Sequence, residues 1–375
     1  MRIGFDAKRL YNNFTGLGNY SRTLAGNLHH YFPEEEYYLY TPKIKQDVTT
    51  LPFLNTPDFH MVCHKGMFKS LWRSSFIKQD LKRDCIDVFH GLSHEIPLGI
   101  DRTNIRSVVT IHDIIFLTYP AMFTAIDRAI YNYKFRYACR HADKVIAISE
   151  CTKRDIVKYF GIPEEKIEVI YQAIQPIFYQ MQPDVVAEST VRKYQLPRDY
   201  LLYVGAINSR KNLLNIVKAL ALLPRDMNIP LVIVGNGRKY KEQVLQYAGS
   251  HGLRERLIFI NNLHDPDELQ AFYQKARIFV YPSFYEGFGL PVTEALLSKV
   301  PVITSGVSSL PEAGGPDSCY IHPESPEEIA YAIENVLCDT AMRERMIEEG
   351  FRFAQQRFDV RGLTEQMYKL YQQIL

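Results

Sequence analysis

Two doubly wound parallel-sheet domains of the α/β class, one in each half of the chain, are what this sequence predicts. Three observations carry that prediction. Short apolar runs alternate with longer, helically spaced stretches from end to end, as successive βαβ units require. Each run is nearly continuous rather than alternating, the pattern of parallel strands covered on both faces. The 375 residues are long for one core, and a proline-bearing stretch without a sustained strand divides the series near its middle.

In chain order, the strands expected in the first half are 2-RIGFD, 37-YYLYTP, 58-DFHMVC, 87-DVFHG, 107-SVVTIHD and 144-KVIAIS. Those of the second half are 200-YLLYVG, 230-PLVIVG, 257-LIFINN, 277-RIFVYPS and 300-VPVITS. Helices fall between them, among them 209-SRKNLLNIVKALALL and 239-KYKEQVLQYAGS, and 326-PEEIAYAIENVL opens the final helical series. The segment 172-QAIQPIFYQMQPDVVAESTVRKYQLPRD holds three prolines, and its first part reads as a linker. The expected domains are therefore 1–175 and 176–375. The last stretch, 360-VRGLTEQMYKLYQQIL, has apolar spacing suited to docking on either one. Ligands of open sheets bind at the carboxyl ends of the strands, so two such sheets in tandem predict a deep cleft between domains.

Composition narrows the class. Apolar residues at 46% and charged residues at 23% suit a soluble globular protein. A formal net charge of +2 gives no bulk attraction to nucleic acid. No run approaches the roughly 18 apolar residues that span a bilayer. The opening 1-MRIGFDAKRL reads as a strand, without the long apolar core of a signal peptide. The six cysteines are scattered with no C-x-x-C pair, so the expectation is reduced thiols in the cytoplasm.

Polar residues with chemical use should cluster where strands end. In 281-YPSFYEGFGLPVTEALL, Glu286 and Glu294 flank a glycine-bearing segment that leads from a strand into a helix. Pro291 suits the first helical turn, where its missing N–H would be unpaired anyway. The N–H groups of Phe288, Gly289 and Leu290 then lie near a helix N-terminus, which favours anions and hydroxyls. In 206-AINSRKNLL, Asn208 or Ser209 is the expected N-cap, which puts Arg210 and Lys211 at the positive end of a helix dipole. That placement costs about 0.3–1 kcal/mol per charge unless a bound diphosphate reverses it. Solvated surface cations are the bland alternative.

The first half offers a weaker anion turn, 15-TGLGNYSRTLAGNL, with Gly16 and Gly18 opening a helix. Serine at position 21 breaks the full dinucleotide fingerprint, and no P-loop occurs. His112 closes the strand 107-SVVTIHD, either as a donor to substrate or as an imidazole satisfied at a strand end. His90, His94 and Glu95 have crude metal-ligand spacing but lie in a loop rather than on one helix face. The triplet 265-DPD reads as a helix start, with Asp265 as N-cap, Pro266 at N1 and Glu268 completing a capping box, rather than as a metal site. Leu263 and Asp265 follow a strand and could touch a nucleobase. The stretch 65-KGMFKSLWRSSFIKQDLKRD reads as a basic amphipathic helix, fit for an anionic membrane or for an ordinary surface.

Together, 15-TGLGNY, the 112-HD pair, 205-GAINSRKN and above all 286-EGFGLPVTE, an E-x7-E signature, resemble glycosyltransferase family 4 over essentially the whole chain. Members are retaining enzymes of the GT-B architecture, with two Rossmann-like domains. The resemblance implies transfer of a hexose, most often from GDP-mannose, to a hydroxyl of a glycan or lipid-linked acceptor, with an α-linkage formed. It implies no metal and no cofactor beyond the nucleotide-sugar donor, and no nucleic-acid partner. Carried over, Arg210 and Lys211 bind the diphosphate, Glu294 holds the ribose hydroxyls and Glu286 contacts the donor sugar beside the amides of Phe288, Gly289 and Leu290. His112 touches the donor sugar, and Gly16 and Gly18 admit the diphosphate. Where many relatives carry a basic residue after the glycine of the 205 strand, this chain has Ala206, and Arg210 is the expected replacement. A cytoplasmic location follows, with membrane association at the cytoplasmic face as an extension. A sugar-nucleotide epimerase or hydrolase and a non-catalytic sugar-nucleotide or glycan binder are the competing readings on the same architecture.

Overall fold

A computed structural model describes residues 1–263 and 265–375 of the chain. They divide into two compact units. Unit 1 comprises Met1–Ala173 with Phe358–Leu375, and unit 2 comprises Ile174–Arg357. The segment 358–375, counted above with the second domain, thus belongs to unit 1.

Unit 1 is built on seven parallel strands: β1 (Arg2–Asp6), β2 (Glu36–Thr41), β3 (Phe59–Cys63), β4 (Val88–Gly91), β5 (Arg106–Ile111), β6 (Lys144–Ala147) and β7 (Ile167–Val169). Their order in the sheet is β3-β2-β1-β4-β5-β6-β7. Unit 2 repeats the plan with β8 (Leu201–Val204), β9 (Leu231–Val234), β10 (Leu257–Ile260), β11 (Ile278–Tyr281), β12 (Val302–Ser305) and β13 (Cys319–Ile321), ordered β10-β9-β8-β11-β12-β13. Each order reverses direction once, between β1 and β4 and between β8 and β11. Such reversals leave a crevice at the carboxyl ends of the two central strands.

Continuous apolar runs explain why these strands lie inside. All four residues of β8, β9, β11 and β12 are buried, and fully burying one Val, Ile or Leu side chain is worth about 1.5–3 kcal/mol. The two edge strands β7 and β13 escaped the sequence reading because three residues are too few to show a period. The basic stretch 65–83 is helical without interruption from Lys69 to Arg83, with a wider turn over Trp72–Phe76 between Lys69–Leu71 and Ile77–Arg83. Trp72, Ile77 and Leu81 turn into the core, and the Trp72 indole N–H donates to Asp80 at 2.7 Å.

The helix Val360–Ile374 packs on the helix Gly16–Tyr31 within unit 1. Tyr368 stacks on Phe32 with ring centroids 3.7 Å apart, and the Tyr371 hydroxyl meets His90 Nδ1 at 2.6 Å. Burial, helped by nearby His112, pushes His90 down to about 3, so it stays neutral. No described helix is long and apolar enough to cross a membrane.

Gly235 ends β9 at φ +153°, and a Cβ there would stand 2.0 Å from the Gly205 carbonyl oxygen. Gly235→Ala should therefore lower the unfolding free energy of unit 2 by roughly 2–4 kcal/mol in urea titration. Gly249→Ala, in a helix with nothing near the added methyl, should leave stability unchanged or raise it by up to about 1 kcal/mol.

Candidate active site

The loops that leave β8 and β11 meet at the switch point of the second sheet. The Phe284 N–H donates to the Arg210 carbonyl at 2.9 Å, and Asn212 Nδ2 donates to Pro282 O at 3.0 Å. Gly205 leaves β8 with φ +153°, and Lys211 fills the space its missing side chain leaves, with Cδ 3.1 Å from an ideal Cβ. Asn208 Oδ1 accepts the Lys211 N–H at 3.1 Å, which closes a single 3-10 turn over Ser209–Lys211. Asn212 then takes a left-handed φ of 60° before the helix Leu213–Leu222 begins. Arg210 and Lys211 are thus not on that helix's first turn. What they bear is desolvation rather than dipole repulsion, and a carboxylate offsets it.

That carboxylate is Glu286. Its Oε1 lies 2.7 Å from Arg210 Nη1 and 3.2 Å from Lys211 Nζ, and it accepts from the Tyr281 hydroxyl at 2.9 Å and Ser283 Oγ at 2.8 Å. The three charged side chains are only 16%, 13% and 12% exposed, so solvent screens them little. Burial alone would raise the Glu286 carboxyl. Lys211 and Arg210, with the hydrogen bonds from Arg210 and Ser283, outweigh it and hold Glu286 down at about 2. Burial likewise lowers Lys211, and Glu286 restores part of the loss. Lys211 also donates to the Tyr281 hydroxyl and sits 4.9 Å from the centre of that ring.

The loop after Glu286 is held from the far side. Its N–H donates to Ser308 Oγ at 3.1 Å, and Ser309 Oγ donates to the carbonyls of Glu286 and Phe288, each at 2.8 Å. Gly289 caps the helix Leu290–Leu297 at φ +116°, and a Cβ there would stand 2.9 Å from Leu310. Phe288 is buried and Leu290 starts the helix. One turn on, half-buried Glu294 accepts from the Tyr273 hydroxyl at 3.0 Å. Burial lifts its carboxyl to about 7, with Tyr273 and Lys211 pulling the other way. Two acids on one segment therefore differ widely in acidity, the usual mark of divided roles.

Leu263 and Asp265 stand apart from this cluster, beyond β10 at the edge of the sheet. Leu263 is half-buried. Asp265 is exposed and caps Pro266–Lys275 by accepting the Asp267 N–H at 2.9 Å. The expected capping box is only half formed, because Glu268 turns instead to Lys193 and to the Tyr194 hydroxyl at 2.6 Å.

In unit 1, Gly16 is exposed at the start of the helix Gly16–Tyr31. Gly18 has a local reason to be glycine, since a Cβ would stand 1.7 Å from the Asn13 carbonyl oxygen. Its N–H is already taken by Asn13 Oδ1 at 3.1 Å and Thr15 O at 2.9 Å. His112 follows β5, buried, with both ring nitrogens engaged: Nε2 with Leu92 O and Nδ1 with Gln172 Nε2, each at 2.9 Å. A carbonyl can only accept and an amide nitrogen only donate, so the ring is the Nε2–H tautomer. Burial lowers its pKa to about 4. His90, His94 and Glu95 go to separate partners: Tyr371 and Thr110, the face of Phe135, and Arg73 with Lys134. Among the described residues no three His, Cys, Asp or Glu side chains group as a metal site.

Several residues of these sites went unread in the sequence. Tyr281, Ser283, Tyr273, Ser309 and Gln172 belong to types common in strands, turns and helices, and only folding brings their polar ends to Glu286, Glu294 and His112. Tyr281 and Ser283 at least lie inside the glutamate-bearing stretch.

Comparison with known proteins places these observations. Residues 188–353 match the model for glycosyl transferases group 1, and residues 16–176 match that for glycosyltransferase family 4. An O-antigen chain mannosyltransferase B of Escherichia coli is 32% identical over 288 residues, 76% of this chain and 74% of that one. The O-antigen chain mannosyltransferase RfbU of Salmonella typhimurium is 28% identical over 65% of this chain and 63% of its own. A serotype-specific mannosyltransferase, WbdA of Escherichia coli, is 31% identical over 67% of this chain, which spans only 32% of that longer protein. Among solved structures, Anabaena HepE in complex with UDP and glucose aligns with a TM-score of 0.80 at 18% identity, covering 100% of both chains. A sucrose-phosphate synthase of Thermosynechococcus elongatus gives 0.81 at 19% identity, covering 100% of this chain and 98% of that one.

The two glutamates predict opposite pH effects on stability. Glu294 is raised in the fold, so its contribution is fully present below 4.5 and is lost as pH climbs through about 7. Glu286 is depressed, so its contribution is present above 4.5 and is lost as pH falls toward about 2. Glu294→Gln should flatten the fall in stability between pH 4.5 and 7, an effect of up to about 3 kcal/mol less whatever solvent reaches its half-buried head, read by urea titration across pH. An unchanged slope in that variant would contradict the assignment.

Proposed function

This chain belongs to the group 1 glycosyl transferases of glycosyltransferase family 4 type and has their GT-B architecture, and on that premise we propose that it moves mannose from GDP-mannose to a hydroxyl of a glycan or lipid-linked acceptor, with retention and an α-linkage. The observation that carries the proposal is the Glu286–Arg210–Lys211 cluster at the switch point of the second sheet. The two O-antigen mannosyltransferases among the relatives favour mannose over other hexoses.

In this reading Arg210 and Lys211 exchange Glu286 for the oxygens of a diphosphate. Two cations beside one carboxylate leave a net positive charge, and low solvent exposure strengthens its pull on a polyanion. As the sugar–phosphate bond breaks, the same cations stabilise charge on the leaving group, which is where metal-free catalysis needs it. Glu294 accepts hydrogen bonds from the ribose hydroxyls. The backbone of Phe288, Gly289 and Leu290 lies beside the sugar, and Leu263 and Asp265 are assigned to the base. His112, Gly16 and Gly18 of unit 1 are carried as donor-side residues.

The state of Glu286 favours one route to retention. A carboxylate held near 2 and bonded to both cations is a weak base and a reluctant nucleophile. That supports a front-face reaction. The acceptor oxygen bonds to the anomeric carbon on the side the phosphate leaves, and the departing phosphate oxygen takes the acceptor proton.

Lys211→Ala and Glu294→Ala should each reduce mannosyl transfer by about 100-fold or more with circular dichroism unchanged, measured against a panel of mannose-terminated acceptors. Full activity in both variants would remove the site assignment. Release of free mannose or an epimer without any acceptor would favour the hydrolase or epimerase reading.

A further inference from the structure

The two glutamates of the candidate site rest on one aromatic support. Phe279 and Tyr281 lie two residues apart on β11, hence on one face of the sheet, with ring centroids 5.7 Å apart. Tyr273, from the helix Pro266–Lys275, meets Phe279 at 5.4 Å and Phe178 at 5.9 Å. Gln270, one turn earlier on that helix, fastens the turn that carries Phe178 by donating to the carbonyls of Ile177 and Gln180 at 2.7 and 2.6 Å. Hydroxyls leave this stack at two points: Tyr281 donates to Glu286 at 2.9 Å, and Tyr273 to Glu294 Oε2 at 3.0 Å. Tyr273 is fully buried. Burial, with Glu294 beside it, pushes its hydroxyl well above the ordinary range, so it keeps its proton and donates.

The two carboxylates differ in how far the protein satisfies them. Glu286 has two cations and two hydroxyls, whereas Glu294 has Tyr273: among the described residues its Oε1 makes neither hydrogen bond nor ion pair. A carboxylate offers about four acceptor positions, and the last torsion of a glutamate is soft, so a head held by one donor has its remaining lone pairs aimed by that donor. Lys211 is the cation whose charge acts on Glu294. Without the Tyr273 hydroxyl the head would be free to turn toward it; with the hydroxyl, Oε1 stays available to an incoming donor. A fixed acceptor is also a selective one. When a ligand lacks the matching hydroxyl, an anchored oxygen finds no substitute and is left unpaired, and that penalty rejects the analogue.

We propose that Tyr273 is a positioning residue: its hydroxyl holds Glu294 Oε2 so that Oε1 is presented to the ribose of the donor nucleotide, and this pairing sets a preference for ribonucleotides over deoxyribonucleotides. The inference rests on the reading of Glu294 as the ribose acceptor. It does not depend on the base or on the sugar transferred.

The test is calorimetric titration of the whole protein with GDP and UDP, their 2′-deoxy and 3′-deoxy forms and the two monophosphates. Wild type should prefer a ribonucleoside diphosphate over at least one of its deoxy forms by about tenfold or more. Tyr273→Phe, which removes one oxygen from a packed ring, should reduce that preference to about threefold or less. Its preference for diphosphate over monophosphate should stay within about twofold of wild type, because the cations are untouched. A retained ribose preference in Tyr273→Phe overturns the proposal. So does an equal weakening of every nucleotide, the sign of a packing role alone. Glu294→Gln separates the two claims. If it abolishes the ribose preference while Tyr273→Phe keeps it, the role of Tyr273 falls and the ribose assignment stands. If it leaves the preference intact, or wild type shows none or binds neither series, the ribose assignment of Glu294 falls and the proposal with it.

Discussion

A carboxylate that is almost out of water, gripped through one oxygen by two cations and two hydroxyls, is the interaction around which unit 2's site is organised. Removing either sign from such a buried cluster leaves uncompensated charge and commonly costs about 3–5 kcal/mol. The surrounding chain is arranged accordingly. Gly205 clears room for the Lys211 stem, Asn208 closes the turn that presents both cations, and Ser309 pins the loop that carries Glu286. In the proposed reaction the cluster exchanges partners, since phosphate oxygens can satisfy Arg210 and Lys211 as the carboxylate does. A site assembled before its ligand arrives loses little to reorganisation when it binds.

Unit 1 shows the same economy in a different form. Its switch point carries Asp6 and Arg73, extended by Glu95 and Lys134 into a chain of alternating charge. The imidazoles deeper inside are kept neutral by burial, and hydroxyl, carbonyl and amide partners fix their orientation. Charge therefore sits at the strand ends of both sheets, while neutral polar groups lie behind it.

The fold could be read from the sequence wherever apolar runs were long. The parallel strands of four or more residues were foreseen, because a strand covered on both faces writes its burial continuously into the chain. β7 and β13 were missed for want of length, and in 65–83 the helix was legible but not its wider turn or the burial of Trp72, Ile77 and Leu81, which answer to a core that lies elsewhere in the chain. The candidate site was legible where spacing constrains it: Glu286 and Glu294 eight residues apart across a glycine-bearing loop and the first turn of a helix, Arg210 and Lys211 after a strand. What could not be read was how the cations are compensated. The dipole argument for Arg210 and Lys211 treated them as a helix end alone, whereas Glu286, far along the sequence, is what neutralises them. Gln172, inside a stretch read as linker, likewise reveals itself only through its bond to His112.

The most direct measurement of the central claim is the affinity of GDP relative to GMP in wild type and in Lys211→Met. If the buried cations grip the second phosphate, wild type should prefer GDP by about tenfold or more, and the substitution should erase most of that preference. An undiminished preference in Lys211→Met would contradict the account, because the diphosphate would then be recognised by groups other than those that Glu286 holds in place.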